Sequence, residues 1–205
     1  MPTVLLIRHA ENDYVKKGVM AGRLPGVHLN EKGRIQAQAL AEKLATAPIK
    51  ALYTSPLERA VETAEPIARA LGLEPILRPG IAETDMGEWQ GQSYKQLRRT
   101  KAWKTVQAAP SLFRFPGGES FAECQVRMVA EIESLRLQHD NKDLFACISH
   151  GDPIKLAIAY YLGLPLDHFQ RLWTSPASIT ALSIGEMGSR LLTMNFDLSF
   201  SFDKP

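Results

Sequence analysis

Cysteine is scarce in this chain: only Cys124 and Cys147 carry thiols among 205 residues, they are not closely spaced, and each stands among apolar neighbours. That excludes a disulfide-built domain and offers no cysteine metal or redox pair, so both are expected as buried free thiols. Long apolar runs are missing too. The longest, Val4 to Ile7 and Leu156 to Leu164, are too short or too interrupted to span a bilayer, and the first residues lack the basic and apolar stretches of a secretory leader. A cytoplasmic protein without a membrane partner is expected. Neither sign of charge is in excess: 24 basic against 22 acidic residues give a formal net charge of +2, so no broad field points to nucleic acid, and any anion site must be local. Repeats and low-complexity tracts are also absent. What remains, 45% apolar and 22% charged residues, is ordinary for a globular protein, in a length that suits one domain over residues 1–205.

The pattern alternates strands with helices. Thr3 to Ile7 is a continuous aliphatic run, as in a strand covered on both faces. Asn30 can cap a helix whose Ala37, Leu40, Ala41 and Leu44 recur on one side. Ala51 to Tyr53 is a short strand, followed by "SPLERAVETAEPIARALG", in which Ser55 and Glu58 predict a capping box, Pro56 the first helical position, Pro66 a kink and Gly72 the end. Pro75 to Leu77 predicts another strand. Residues 93–115 follow no clean repeat and are read as a small helical cap insertion at about 92–118. A second capping box at Ser120 and Glu123 starts the next helix. Leu144 to Ser149 is a buried strand, with Asp152 and Pro153 placed to open a helix. Ile179 to Ile184 and Leu191 to Asn195 read as closing strands, and residues 196–205 as a loosely held tail. The fold class expected is α/β: three layers, an open, mostly parallel sheet with helices on both faces, and the helical insertion.

Ligands of such sheets bind beyond the carboxyl ends of the strands. Arg8 and His9 end the first strand, His150 ends the strand from Leu144, and Arg59 lies in the first turn of the helix after the second strand. Two guanidiniums and two imidazoles near helix N-termini make a site for a dianion such as phosphate. A histidine beside them can attack phosphorus if its imidazole is neutral and its other nitrogen is pinned by a backbone carbonyl. A leaving oxygen then needs a proton, and the loop "AETDMGEWQG" offers Glu83, Asp85 and Glu88.

Four blocks in order, Arg8-His9-Ala10, Ser55 to Ala64, Glu83 to Gly91 and Ser149-His150-Gly151, make the chain resemble the histidine phosphatase superfamily, in its phosphoglycerate mutase-like branch. The resemblance implies a phosphoglycerate mutase-like fold, with His9 as the phosphorylated nucleophile, Arg8, Arg59 and His150 as the phosphate pocket and Glu83 as the proton donor. Three positions depart from the family pattern. Ala10 replaces a glycine, Val15 stands where many members have a phosphate-binding Asn, and Asn12 stands in place of Thr. Either Asn12 substitutes as a substrate-binding residue from a shifted loop, or the pocket has one ligand fewer. Arg23, in a basic loop with Lys16 and Lys17, is expected to meet a second acidic group of the substrate, and Arg114 has the same standing. Trp89 is expected to pack beneath the acid loop, and His28, His139 and His168 to be surface or structural residues.

The function expected is metal-independent hydrolysis of small-molecule phosphomonoesters through a phosphohistidine, with no cofactor and no metal, and with a phosphorylated small molecule as the partner. Phosphoglycerate mutase activity and a non-catalytic phosphate-binding module are the alternatives. Metal-dependent hydrolysis through His9, His150 and a carboxylate lacks compact ligand spacing. Homo-oligomerisation is left open.

Overall fold

In the computed structural model, which describes residues 1–198, the chain opens with β1 (Thr3–Arg8) and α1 (Asp13–Lys17), capped by the Asn12 side chain, and continues into α2 (Glu31–Leu44), capped by Asn30 as expected. Next come β2 (Ile49–Thr54), α3 (Glu58–Leu71) and β3 (Pro75–Leu77). Two short helices, α4 (Tyr94–Leu97) and α5 (Lys101–Ala108), occupy the stretch without a repeat. The remainder is α6 (Phe121–Arg136), β4 (Leu144–Ser149), α7 (Gly151–Tyr161), β5 (Ile179–Gly185) and β6 (Gly188–Phe196). The Ser120–Glu123 capping box is present, with both reciprocal bonds made. Phe196 still belongs to β6, opposite Ile179, so the tail expected from 196 does not begin there; residues 199–205 lie outside the described residues. Among the described residues no helix is long and apolar enough to cross a membrane.

The six strands form one open sheet in the order β3-β2-β4-β1-β5-β6. The first four run parallel, β5 is antiparallel to β1, and β6 is antiparallel to β5. Alternation along each strand divides the core. Leu5 and Ile7 of β1, with Leu52, Ala146 and Ile148, meet Leu40, Ala41, Ala64 and Ile67 of α2 and α3, while Val4 and Leu6, with Phe145 and Cys147, meet Met128, Ile132, Ile154 and Ile158 of α6 and α7 on the other face. This is the expected three-layer arrangement. Both cysteines are buried and free.

A third cluster, rich in aromatic rings, lies where α4 and α5 join the body. Trp89, Phe113, Phe115, Phe121 and Phe169 pack with Leu97 and Val106, and Trp89 stacks on Trp103 at 6.3 Å between ring centroids. Phe121 is 1% exposed and touches Phe169 at 4.9 Å and Phe115 at 5.3 Å. Phe121→Ala is expected to cost about 3–5 kcal/mol through the cavity it leaves, read as a lower urea midpoint; a loss below about 1 kcal/mol would show a roof that collapses to refill the space. Outside, the same segment is strongly basic. Between Glu88 and Glu119 there is no acidic residue, and Lys95, Arg98, Arg99, Lys101 and Lys104 are all exposed.

Candidate active site

Strands β1 and β4 lie side by side, in parallel, with Arg8 opposite Ser149. The chain leaves β1 for α2 on one face of the sheet and leaves β4 for α7 on the other. Their carboxyl ends therefore open a crevice, the usual place for a ligand in such a sheet. Into it project Arg8 and His9 from one strand and His150 from its neighbour; the His9 amide donates to the Ser149 carbonyl at 2.9 Å. The first turn of α3 adds Arg59, 1% exposed, and the loop after β3 adds Glu83, 9% exposed.

Hydrogen bonds define the state of each imidazole. His9 Nδ1 lies 2.8 Å from the Ala10 carbonyl, which can only accept, so Nδ1 carries the proton and Nε2 keeps a free lone pair. Arg59 Nε donates to that Nε2 at 3.3 Å. His150 Nδ1 accepts from Arg59 Nη2 at 3.2 Å, so its Nε2–H donates to Ser55 Oγ at 2.8 Å. The two rings stand 5.1 Å apart. Burial first, then the Arg59 and Arg8 guanidiniums, hold the His9 imidazole well below its ordinary pKa; burial, then Arg59, His9 and Arg8, do the same to His150. Both are neutral at physiological pH.

Glu83 is shifted the opposite way. Burial, and then the like charge of Asp152, push its carboxyl up to about 7. Its Oε1 accepts from the Thr84 amide at 2.9 Å, and Oε2 lies 3.9 Å from His150 Nδ1. Of the other two carboxylates in this loop, Asp85 Oδ1 takes the Gly87 amide in a local turn and Glu88 is exposed. Geometry thus sets Glu83 apart from them.

Three buried N–H groups on these elements have no protein acceptor: Arg8 Nε, Arg59 Nη1 and Asn12 Nδ2. Buried donors are rarely left unpaired because each costs about 1–3 kcal/mol. Two of them belong to guanidiniums and the third to an amide, a set complementary to a phosphoryl group. Asn12 uses only Oδ1 internally, accepting from the Val15 amide at 2.9 Å. Val15 itself lies within α1.

Several residues differ from their expected surroundings. Ser55 forms no capping box: α3 begins at Glu58 after Leu57, without a side-chain cap, because the Ser55 hydroxyl accepts from His150 and, in a bend, from the Leu57 amide. Pro56 accordingly precedes the helix, and Pro66 sits inside α3, which still runs to Leu71. Arg23 donates from Nε to the Glu83 carbonyl at 2.8 Å and from Nη2 to Glu119 at 3.1 Å. Arg114 is held by Glu123 and the Gly118 carbonyl. Lys17 pairs with Asp13 on α1, His139 stacks on Phe145, and Trp89 packs beneath the acid loop as expected. Ala10 needs no glycine freedom: only Ala177 and Asn195 are non-glycine residues with positive φ among those described, and the Ala10 amide donates to Thr63 Oγ1.

Some participants carried no local sequence signal. The Gly22 carbonyl accepts from Arg59 Nη2 at 2.7 Å and the Thr174 carbonyl from Arg8 Nη1 at 2.6 Å. Ala177, at φ 60, donates its amide to the carbonyls of Arg8 and His9. Among the described residues no group of three His, Cys, Asp or Glu side chains is placed to hold a metal ion.

The family model for the histidine phosphatase superfamily (branch 1) matches residues 4–197. Phosphoserine phosphatase 1 of Hydrogenobacter thermophilus is 30% identical over 197 residues, covering 95% of this chain and 92% of the relative. A 2,3-bisphosphoglycerate-dependent phosphoglycerate mutase of Thermoplasma acidophilum is 28% identical over 194 residues, covering 95% and 92%. Among solved structures, phosphoserine phosphatase of Entamoeba histolytica in complex with 3-phosphoglyceric acid superposes with a TM-score of 0.88 at 26% identity, covering 97% of this chain and 98% of that one. A mycobacterial glucosyl-3-phosphoglycerate phosphatase gives 0.87 at 26%, covering 95% and 99%.

Proposed function

The chain belongs to the histidine phosphatase superfamily, branch 1; from that premise we propose that it hydrolyses phosphomonoesters, as its phosphatase relatives do by name, through a phosphohistidine on His9 and without a metal. The observation that carries the reading is the unprotonated Nε2 of a neutral His9, its Nδ1 proton engaged by the Ala10 carbonyl and its Nε2 lone pair held only by Arg59 Nε at 3.3 Å, a contact that a phosphoryl group can displace. Arg8, Arg59 and Asn12 bind the phosphoryl oxygens, and His150 donates to them from Nδ1 once the charge of the bound dianion has protonated it. His9 Nε2 attacks phosphorus in line, and the P–O bond to the alcohol breaks as Glu83 gives that oxygen a proton. Water then attacks the phosphohistidine, losing a proton to Glu83, and inorganic phosphate leaves. A reducing compartment such as the cytoplasm suits the two buried free thiols.

Release of inorganic phosphate from aryl and alkyl phosphomonoesters, in excess chelator, tests this reading, together with trapping of an acid-labile, base-stable phosphoenzyme. Loss of turnover with chelator would refute metal independence. A second reading, phosphoryl transfer between hydroxyls, is favoured by the mutase relative. Mutase assays with and without a bisphosphoglycerate primer separate the two.

Asn12→Asp keeps the acceptor that caps α1 but replaces the free N–H by a carboxylate facing an anion. It is expected to lower kcat/KM about 100-fold for every leaving group and to weaken competitive inhibition by phosphate to a similar degree. Unchanged inhibition would remove Asn12 from the phosphate ligands.

A further inference from the structure

The second capping box begins at Ser120, and the residue just before it, Glu119, has no part in capping α6. Its carboxylate is instead the centre of a part-buried network. Oε1 accepts from the Asp85 amide at 2.8 Å, from Arg23 Nη2 at 3.1 Å and from Arg127 Nη2 at 2.7 Å. Oε2 accepts from Arg127 Nε at 3.3 Å. Both arginines also hold the Glu83 carbonyl, Arg23 through Nε at 2.8 Å and Arg127 through the same Nη2 at 3.3 Å. Arg127 Nη1 also takes the carbonyls of Gly80 and Ala82.

The acid loop is thus held from behind at Gly80, Ala82, Glu83 and Asp85. Glycines allow the approach: a Cβ at Gly118 would stand 2.3 Å from the Asp85 carbonyl oxygen, and one at Gly87 2.0 Å from the Pro116 carbonyl oxygen. The network also reaches the phosphate side, since Arg59 donates to Gly22, the residue before Arg23. Glu119 is 15% exposed in its side chain, and a carboxylate in that setting with four charge-assisted contacts is a fixed anchor.

We propose that Glu119 is the positioning residue of the proton-donor loop, pairing with Arg23 and Arg127 to hold the backbone of Glu83 so that its carboxyl faces His150 and the leaving oxygen. The inference rests on Glu83 being the acid. Glu119 touches neither substrate nor the reacting atoms, and it has an electrostatic task besides the mechanical one. It balances two guanidiniums that would otherwise act on Glu83 from behind, while Arg8, Arg59, His150, Asp152 and Tyr94 face that carboxyl from the other elements.

The test compares kcat/KM, which reports the phosphorylation half, for an alkyl phosphate and for an aryl phosphate whose phenolate leaves without protonation. Glu119→Gln is expected to lose about 30-fold on the alkyl ester and less than about 3-fold on the aryl ester, because misplaced catalytic groups cost rate only where they act. The alkaline limb of its alkyl profile should also move to lower pH. Equal losses on both esters, or none on either, would overturn the proposal. Arg23→Gln, in a loop away from the core, should give the same selectivity at about 10-fold and decides the matter if Glu119→Gln does not fold. Glu83→Gln is the control. If it is selective while both network variants are not, the acid stands and the positioning role falls; if it is not selective, the acid assignment fails and the proposal falls with it.

Discussion

Replacing His9 by alanine is expected to lower kcat for an aryl phosphate by about 10⁵-fold or more, the scale seen when a covalent nucleophile is deleted. The expectation comes from the neutrality of the imidazole. Burial and two neighbouring guanidiniums keep it unprotonated, and the Ala10 carbonyl takes its one proton, so a lone pair is ready without prior deprotonation. Phosphate and vanadate binding should survive in the variant, because Arg8, Arg59, Asn12 and His150 remain. Arg59 Nε loses its acceptor, so folding is checked by circular dichroism. Activity within about tenfold of wild type would mean that another group attacks phosphorus.

Glu83→Gln is expected to reduce kcat/KM for alkyl phosphates by about 10³-fold, within the usual range for a general acid, and to leave good aryl leaving groups much less affected. The sign of the pH dependence follows from its shift. With the carboxyl pushed up to about 7, the proton is present below that pH and lost above it, while His9, its pKa lowered, stays neutral throughout. Alkyl ester hydrolysis should therefore fall about tenfold per pH unit on the alkaline side, and the fall should vanish in Glu83→Gln. Substrate phosphate ionises near about pH 6, but it shapes aryl and alkyl profiles alike. An alkaline limb that persists unchanged in the variant would assign it to another group.

The order of elements was legible because it depends on local signals. The run from Thr3 ends where Arg8 and His9 follow, Leu144 to Ser149 is bounded correctly, and Asn30 and Ser120 cap the helices they announce. Ser55 shows the limit of such signals. Its spacing to Glu58 matches that of Ser120 to Glu123, yet its hydroxyl is taken by His150 across 95 positions, and only the assembled sheet separates the two cases. Residues 93–115 had no period because their helices are short and their side chains converge on an aromatic cluster. A sheet face would have imposed a repeat. Arg23 looked like a free cation in a loop; its partners Glu83 and Glu119 stand 60 and 96 residues away. Arg8, His9, Arg59 and His150 could be named as candidates because each adjoins a strand end or a helix start, where chain position itself predicts proximity; Glu83, six residues past β3, was separated from Asp85 and Glu88 only by the family resemblance.

The exposed cations of α4 and α5, together with the absence of any acidic residue between Glu88 and Glu119, give the molecule a polarity that its net charge of +2 conceals. Helix α4 also carries Tyr94, which is near enough to Arg8 and Glu83 for their charges to act on its phenol, so this positive side is on the same part of the molecule as the crevice. A phosphorylated metabolite diffusing towards the enzyme is drawn to that side before any contact forms, within about a Debye length of roughly 8–10 Å at cellular salt. Capture is thereby made directional.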